Sequence, residues 1–263
     1  MDKAECLLLR LPLELRQQIY AIVFGPPRRI DFCSPYSYWY RVVIYRVKAE
    51  NWDKHNILLY ESQERTGILG VSKSISNEAL DVLYGQNIFV GYIYDRGPLD
   101  FFRFSDANLR RIRYLHIVAR PWGRWYEDVK PLAFGPERWF PVLEGLIQFC
   151  LVVQQPLKAR RPHRDGPTLE QDLVKWTAWL GPILEFFSTT LPETAVVSLD
   201  DDGHVETTAV IDAHFGRPYQ HVRTETGDAC FKRGRYAKES RFWNPLEHPS
   251  QVEEPLSSRN WMQ

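Results

Sequence analysis

Ile112-Arg113-Tyr114-Leu115-His116-Ile117 sets apolar side chains at relative positions 0, 3 and 5. Leu146-Ile147-Gln148-Phe149-Cys150-Leu151 repeats that spacing, and Thr194-Ala195-Val196-Val197-Ser198-Leu199 repeats it more weakly. Residues two apart share one face of an extended chain, so each unit predicts a strand with one apolar face. His116 alternates with Leu115 and Ile117 and is expected to face solvent. The copies start 34 and 48 residues apart, and no Asn or Cys ladder follows them. Unequal intervals exclude a regular solenoid and predict an irregular stack of αβ units.

The same spacing is similar to the strand half of the leucine-rich repeat consensus. Around these strands the helical signals fall at intervals. Leu15, Ile19, Ile22 and Val23 form one stripe along residues 11–24, with Pro12 suited to the first helical position and Gly25-Pro26-Pro27 as a stop. Val71, Ile75, Ala79, Val82 and Leu83 form a second stripe, with Gly85 as its expected end. Residues 28–61 change to strand-like composition and read as a small hairpin or sheet insertion; residues 87–94 read as a strand buried on both faces. Residues 98–104 read as a short helix, with Ser105 or Asp106 capping the next. Leu173, Trp176, Leu180, Ile183, Leu184 and Phe187 keep helical spacing across Gly181-Pro182, which a kinked helix or two stacked helices would satisfy. Residues 196–211 read as a hairpin turning at Asp201-Asp202-Gly203.

The chain has 263 residues with 33 basic and 33 acidic side chains. Its hydrophobic fraction of 44% excludes a wholly disordered chain, and its pattern excludes a collagen or a coiled coil. Zero formal net charge weighs against a general nucleic-acid binder. No run approaches the roughly 18–20 apolar residues that span a bilayer, and the first residues lack the basic start and long apolar stretch of a secretory signal. Four scattered cysteines without a CxxC pair fit free thiols in a reducing compartment. The expected location is intracellular, in cytoplasm or nucleus, without membrane contact.

Leu8-Leu9-Arg10-Leu11-Pro12-Leu13-Glu14-Leu15-Arg16-Gln17-Gln18-Ile19-Tyr20 resembles the opening helix of an F-box, and more narrowly that of the fungal F-box-like proteins. The second half of that signature follows as Ile68-Leu69-Gly70-Val71-Ser72-Lys73 and Asn77-Glu78-Ala79-Leu80-Asp81-Val82-Leu83-Tyr84, continued by Asn87 and Phe89. The resemblance implies a helical module, here interrupted by about 40 residues between its halves. It also implies that the Leu-Pro helix docks on a Skp1-like adaptor of a cullin ubiquitin ligase while the downstream region recruits an unknown protein substrate. The expected fold class is therefore α+β, or irregular α/β. An F-box-like module over 1–95 carries a β insertion at about 26–66, irregular leucine-rich-repeat-like αβ units occupy 96–231, and a mobile tail is expected at 232–263.

Leu11, Pro12, Leu15 and Ile19 are the candidate partner contacts on the first helix. Clusters of rings in polar loops add Tyr38 and Trp39, and Trp122 and Trp125, as interface candidates. The function expected is non-enzymatic protein–protein interaction. The alternative is a stand-alone structural or regulatory binding domain whose first helix lies in its own core. A third reading is a metal-dependent enzyme at the Asp200–His214 hairpin, where Asp200, Asp201, Asp202, His204, Asp212 and His214 are close in sequence. Asp-Gly turn chemistry explains the same residues without an ion. No GxSxG, P-loop or GxGxxG motif occurs, and no catalytic, cofactor or metal residue is assigned. Basic stretches at residues 110–113 and 158–164 suit solvated loops or phosphate contacts.

Overall fold

The computed structural model describes residues 7–31, 67–93, 104–120, 137, 139–156 and 169–237. In chain order, α1 is Leu13–Phe24, β1 Arg29–Asp31, α2 Lys73–Gln86, β2 Ile88–Ile93, α3 Asp106–Leu109 and β3 Tyr114–Ala119. Then follow α4 Phe140–Leu143, β4 Gln148–Val153, α5 Leu169–Thr190, β5 Val196–Asp200, α6 Val205–His214, β6 Gln220–His221 and α7 Glu225–Phe231. The architecture is mixed α/β around one six-stranded parallel sheet. Its order is β1-β2-β3-β4-β5-β6, so every strand pairs with its successor in sequence.

The opening triplets fall into register. Leu115 pairs with Phe149 and Phe149 with Val197; Ile117 pairs with Leu151 and Leu151 with Leu199. These residues line one face of the sheet and form the larger core with Trp139 and the inner stripe of α5: Trp176, Leu180, Ile183, Leu184 and Phe187. The Phe187 ring sits 4.8 Å from Phe149 and edge-on to Trp139 at 5.3 Å, the tilted arrangements that aromatic quadrupoles favour. Each fully buried side chain of this size contributes about 1.5–3 kcal/mol, so the face carrying the rings dominates stability. The opposite face carries a smaller cluster of Val90, Val118, Cys150 and Val152, against which Val222, Cys230 and Phe231 pack.

Several expectations change. His116 does not face solvent: it points into that second cluster and is only 8% exposed, because α7 covers the face that alternation assigned to water. Residues 196–211 are not a hairpin. Asp202 and Gly203 adopt the positive φ angles of an Asp-Gly turn, but the chain then enters α6, with Thr207 and Ile211 buried one turn apart. Gly85 lies inside α2; the helix runs to Gln86 and Asn87 is its C-cap. Pro12 is the N-cap of α1 rather than its first helical residue. α5 is one helix of 22 residues with Pro182 inside it. β1 and β2 join the same sheet as β3–β6, so a boundary near residue 95 cuts through a single sheet. The start of the expected mobile tail is held in place: Arg233 pairs with Asp200 and the chain continues in a 3-10 turn, Gly234–Ala237, with Tyr236 buried. The short helix expected at 98–104, most of the insertion at 26–66 and the rest of the tail lie outside the described residues.

Candidate functional site

The two sequence blocks form two copies of one backbone pattern. The 3-10 turn Leu7–Arg10 leads through Leu11 and Pro12 into α1, and the 3-10 turn Gly67–Gly70 leads through Val71 and Ser72 into α2. The turns close alike, Leu11 N–H donating to the Leu8 carbonyl at 3.2 Å and Val71 N–H to that of Ile68 at 3.3 Å. Each next residue's carbonyl opens its helix: Arg16 N–H donates to Pro12 at 3.1 Å and Ser76 N–H to Ser72 at 2.8 Å. Ser72 also accepts from Ile75 N–H, a side-chain cap that Pro12 cannot supply. At the far end of α1, Gly25 at φ 80° bends the chain so that its N–H reaches Ala21 and Ile22 carbonyls.

The helices pack through Tyr20 and Phe24 on α1 and Ile75, Ala79 and Val82 on α2, with Leu8 and Ile68 closing the cluster. A polar clasp locks them. Arg16 donates twice to the Glu78 carboxylate, from Nε at 2.8 Å and Nη2 at 2.9 Å, and Tyr20 Oη donates to it at 2.9 Å. Arg16 Nη1 also binds the Leu11 carbonyl, which holds the Leu-Pro turn against the helix. Bidentate binding by the guanidinium holds the Glu78 carboxyl below its ordinary value, and burial raises the Tyr20 phenol. Downstream, Asn87 Nδ2 donates to the Leu83 carbonyl at 2.6 Å while its Oδ1 accepts from Arg28 N–H at 2.8 Å. One side chain thus ends α2 and ties down the residue before β1. Tyr84 stacks on Phe89 at 5.3 Å and 11°. Six polar and aromatic members of the two blocks, Arg16, Tyr20, Glu78, Tyr84, Asn87 and Phe89, act inside the fold.

The apolar stripe does not. Leu15 is 45% exposed and Ile22 79%, Ile19 is half-buried, and all three lie on the side of α1 away from Tyr20 and Phe24. Pro12 is exposed and Leu11 half-buried; Leu7, Leu13 and Val71 add exposed apolar surface at the same end. Of the four candidate contacts, Leu11 and Pro12 lie in the turn before α1 and Leu15 and Ile19 on it; Pro12 and Leu15 are exposed and the other two half-buried. Tyr38, Trp39, Trp122 and Trp125 lie outside the described residues, as does the basic stretch 158–164. The other basic stretch is engaged internally. Arg111 pairs with Asp81 at 2.6 Å, Arg110 meets Glu144 at 3.4 Å, and Arg113 Nη1 donates to the carbonyls of Arg110 and Gly145.

A second polar cluster lies at the C-terminal ends of β4 and β5, beside α7. Asp200, 3% exposed, accepts from Thr224 N–H at 2.8 Å and from Arg233 Nη2 at 2.7 and 2.9 Å. Arg233 further reaches Asp202 at 2.8 Å and Asp228 at 2.9 Å. Asp201 accepts from Gly203 N–H and the Thr208 hydroxyl. His214 is at the other end of α6, where it meets Glu185 at 3.0 Å. Asp200–Asp202 and His214 therefore do not converge as the hairpin required. Among the described residues no group of three or more His, Cys, Asp or Glu could hold a metal ion. His116 Nδ1 hydrogen-bonds Thr226 Oγ1 at 2.8 Å; burial, aided by Arg29, pushes its imidazole down to about 4. Burial pushes the Cys150 thiol up to about 12.

Sequence reasoning missed Arg233 altogether. It stands in a polar stretch without periodicity, and only the Asp-rich turn at 200–202 hinted that a cation was needed. Among the described residues no helix is long and apolar enough to cross a membrane. No protein-family model matches the chain, and no curated protein or solved structure matches it.

Proposed function

We propose that this chain is a non-enzymatic protein–protein interaction protein whose N-terminal helix pair docks on a helical adaptor. By its resemblance to the fungal F-box-like proteins that adaptor is Skp1-like, which makes the chain a substrate receptor of a cullin ubiquitin ligase. The observation that carries this reading is the outward stripe of Leu15, Ile19 and Ile22. An apolar row at i, i+4 and i+7 on an exposed helix face suits insertion into a hydrophobic groove. The clasp of Arg16, Tyr20 and Glu78 supports it, because it holds α1 from behind and leaves the stripe free to engage. The irregular αβ units that follow are, on this reading, the substrate-recruiting region.

Pull-down of purified Skp1 by the full chain tests the proposal. Wild type is expected to bind, and Leu15→Asp and Ile22→Asp to remain folded while losing at least tenfold in affinity. A folded wild type that does not bind refutes it. The alternative is a stand-alone structural or regulatory binding domain whose first helix lies in its own core, and the internal roles of Arg16, Tyr20 and Glu78 favour it. It predicts that a folded wild type fails to bind and that both Asp variants lose their fold.

A further inference from the structure

The two turn-and-helix copies match in side chains as well as in backbone. At an offset of 60 residues, Leu15 falls on Ile75, Ile19 on Ala79 and Ile22 on Val82. Their burial does not match. In α2 the row Ile75, Ala79 and Val82 is covered, because it packs on Tyr20 and Phe24 of α1. In α1 the equivalent row is open, with Leu15 and Ile22 exposed and Ile19 half-buried. The pairing is therefore heterologous: the row of the second copy meets the back face of the first, and the row of the first is left over. The structure thus contains, in α2, an occupied version of the surface that α1 presents to solvent.

We propose that the open row of α1 takes a partner helix bearing two rings one turn apart, preceded one turn earlier by a neutral residue. The proposal rests on α1 being the adaptor-docking helix and names the chemistry of the segment it takes. Rows at i, i+4 and i+7 build the same ridge on both helices, so the ring pair that seats on Ile75, Ala79 and Val82 has its counterpart over Leu15, Ile19 and Ile22. Ile19 is larger than Ala79, which sets the second helix further out, and rings rather than short side chains fill the wider gap. Charge distinguishes the two surfaces. In the occupied pairing the residue one turn before the rings is Arg16, which meets Glu78 at 2.8 Å. The equivalent of Glu78 on α1 is Gln18, which is exposed. An amide gives a guanidinium no counter-charge as water leaves, so the partner's residue at that place is uncharged. Gln18 is the specificity-determining residue: it turns away helices that carry the arginine row of α1 itself.

The test uses the full chain as wild type, Leu15→Asp and Gln18→Glu, with labelled peptides of residues 12–25 read by fluorescence anisotropy. In every peptide a lactam between Leu15→Lys and Ile19→Glu holds the helix and, with Ile22→Gln, removes the peptide's own row. One peptide keeps Arg16, a second carries Arg16→Gln, and a third carries Arg16→Gln with Tyr20→Ala and Phe24→Ala. The second peptide is expected to bind wild type about tenfold more tightly than the first, and that order should reverse on Gln18→Glu. The third peptide should not bind, and Leu15→Asp should bind none of them. The second peptide should also displace purified Skp1 from wild type. A folded wild type that retains Skp1 but binds neither ring-bearing peptide overturns the proposal and leaves the adaptor assignment standing. Peptide binding with the reversal, but no binding of Skp1, upholds the proposal and refutes that adaptor. Equal affinity of the two ring-bearing peptides on both chains, or binding that Leu15→Asp leaves intact, overturns the proposal, as does the absence of any binding.

Discussion

Lowering the pH from 7 to 5 is expected to destabilise the fold through one histidine. His116 is held neutral between β3 and α7, with Thr226 on its Nδ1 and Arg29 adding to the cost of a second positive charge. Asp200 opposes this without reversing it. The unfolded imidazole takes a proton near its ordinary value of 6.5, whereas the folded one does so only at about 4. Stability from this group is thus complete above pH 6.5 and declines as pH falls toward 4. A shift of that size is worth about 3 kcal/mol in full, of which about 2 kcal/mol is lost between pH 7 and pH 5. Urea denaturation of wild type and His116→Gln at both pH values isolates the contribution, because glutamine keeps a hydrogen-bonding group for Thr226 and cannot titrate. Wild type should lose about 2 kcal/mol more than the variant. Equal pH dependence in the two proteins refutes the argument that burial keeps this imidazole neutral.

Two further perturbations probe the N-terminal module. Glu78→Ala strips the acceptor from Arg16 and Tyr20 and should cost about 1–3 kcal/mol in a urea melt, with Glu78→Gln milder. Because the Glu78 carboxyl is held below its ordinary value of 4.5, its contribution persists above that pH and fades as pH falls through the folded value, a trend Glu78→Gln should abolish. Asn87→Ala removes the cap of α2 and the acceptor for Arg28 N–H, and should cost about 1–2 kcal/mol. Hydrogen exchange at Arg28 should accelerate in that variant; unchanged protection there would show that Asn87 does not hold the entry to β1.

Strands β3, β4 and β5 were legible because each is buried on a face whose spacing is written locally. Positions 3 and 5 of each triplet, from Leu115 and Ile117 to Val197 and Leu199, pair across three strands as the repeat implied. What local pattern could not carry was the identity of the second cover. Nothing near His116 announces that residues more than a hundred positions later will bury it. The Asp-Gly turn shows the same limit on a smaller scale. Its dihedral chemistry is as expected, but whether a strand or a helix follows depends on Thr207 and Ile211 meeting the core. On α1 the apolar residues fall on two faces, and spacing alone does not tell which is inside. The decision rests with Glu78, 62 residues from Arg16, which turns the Arg16–Tyr20 side inward and leaves Leu15 and Ile22 to solvent.

The ordered succession of strands has a consequence at its two margins. β1 has three residues and β6 two, whereas the strands between them have five or six. Among the described residues, a sheet that tapers in this way offers only short strands at its two margins, which shortens the edge available to another chain. Edge pairing between copies is disfavoured along those short margins.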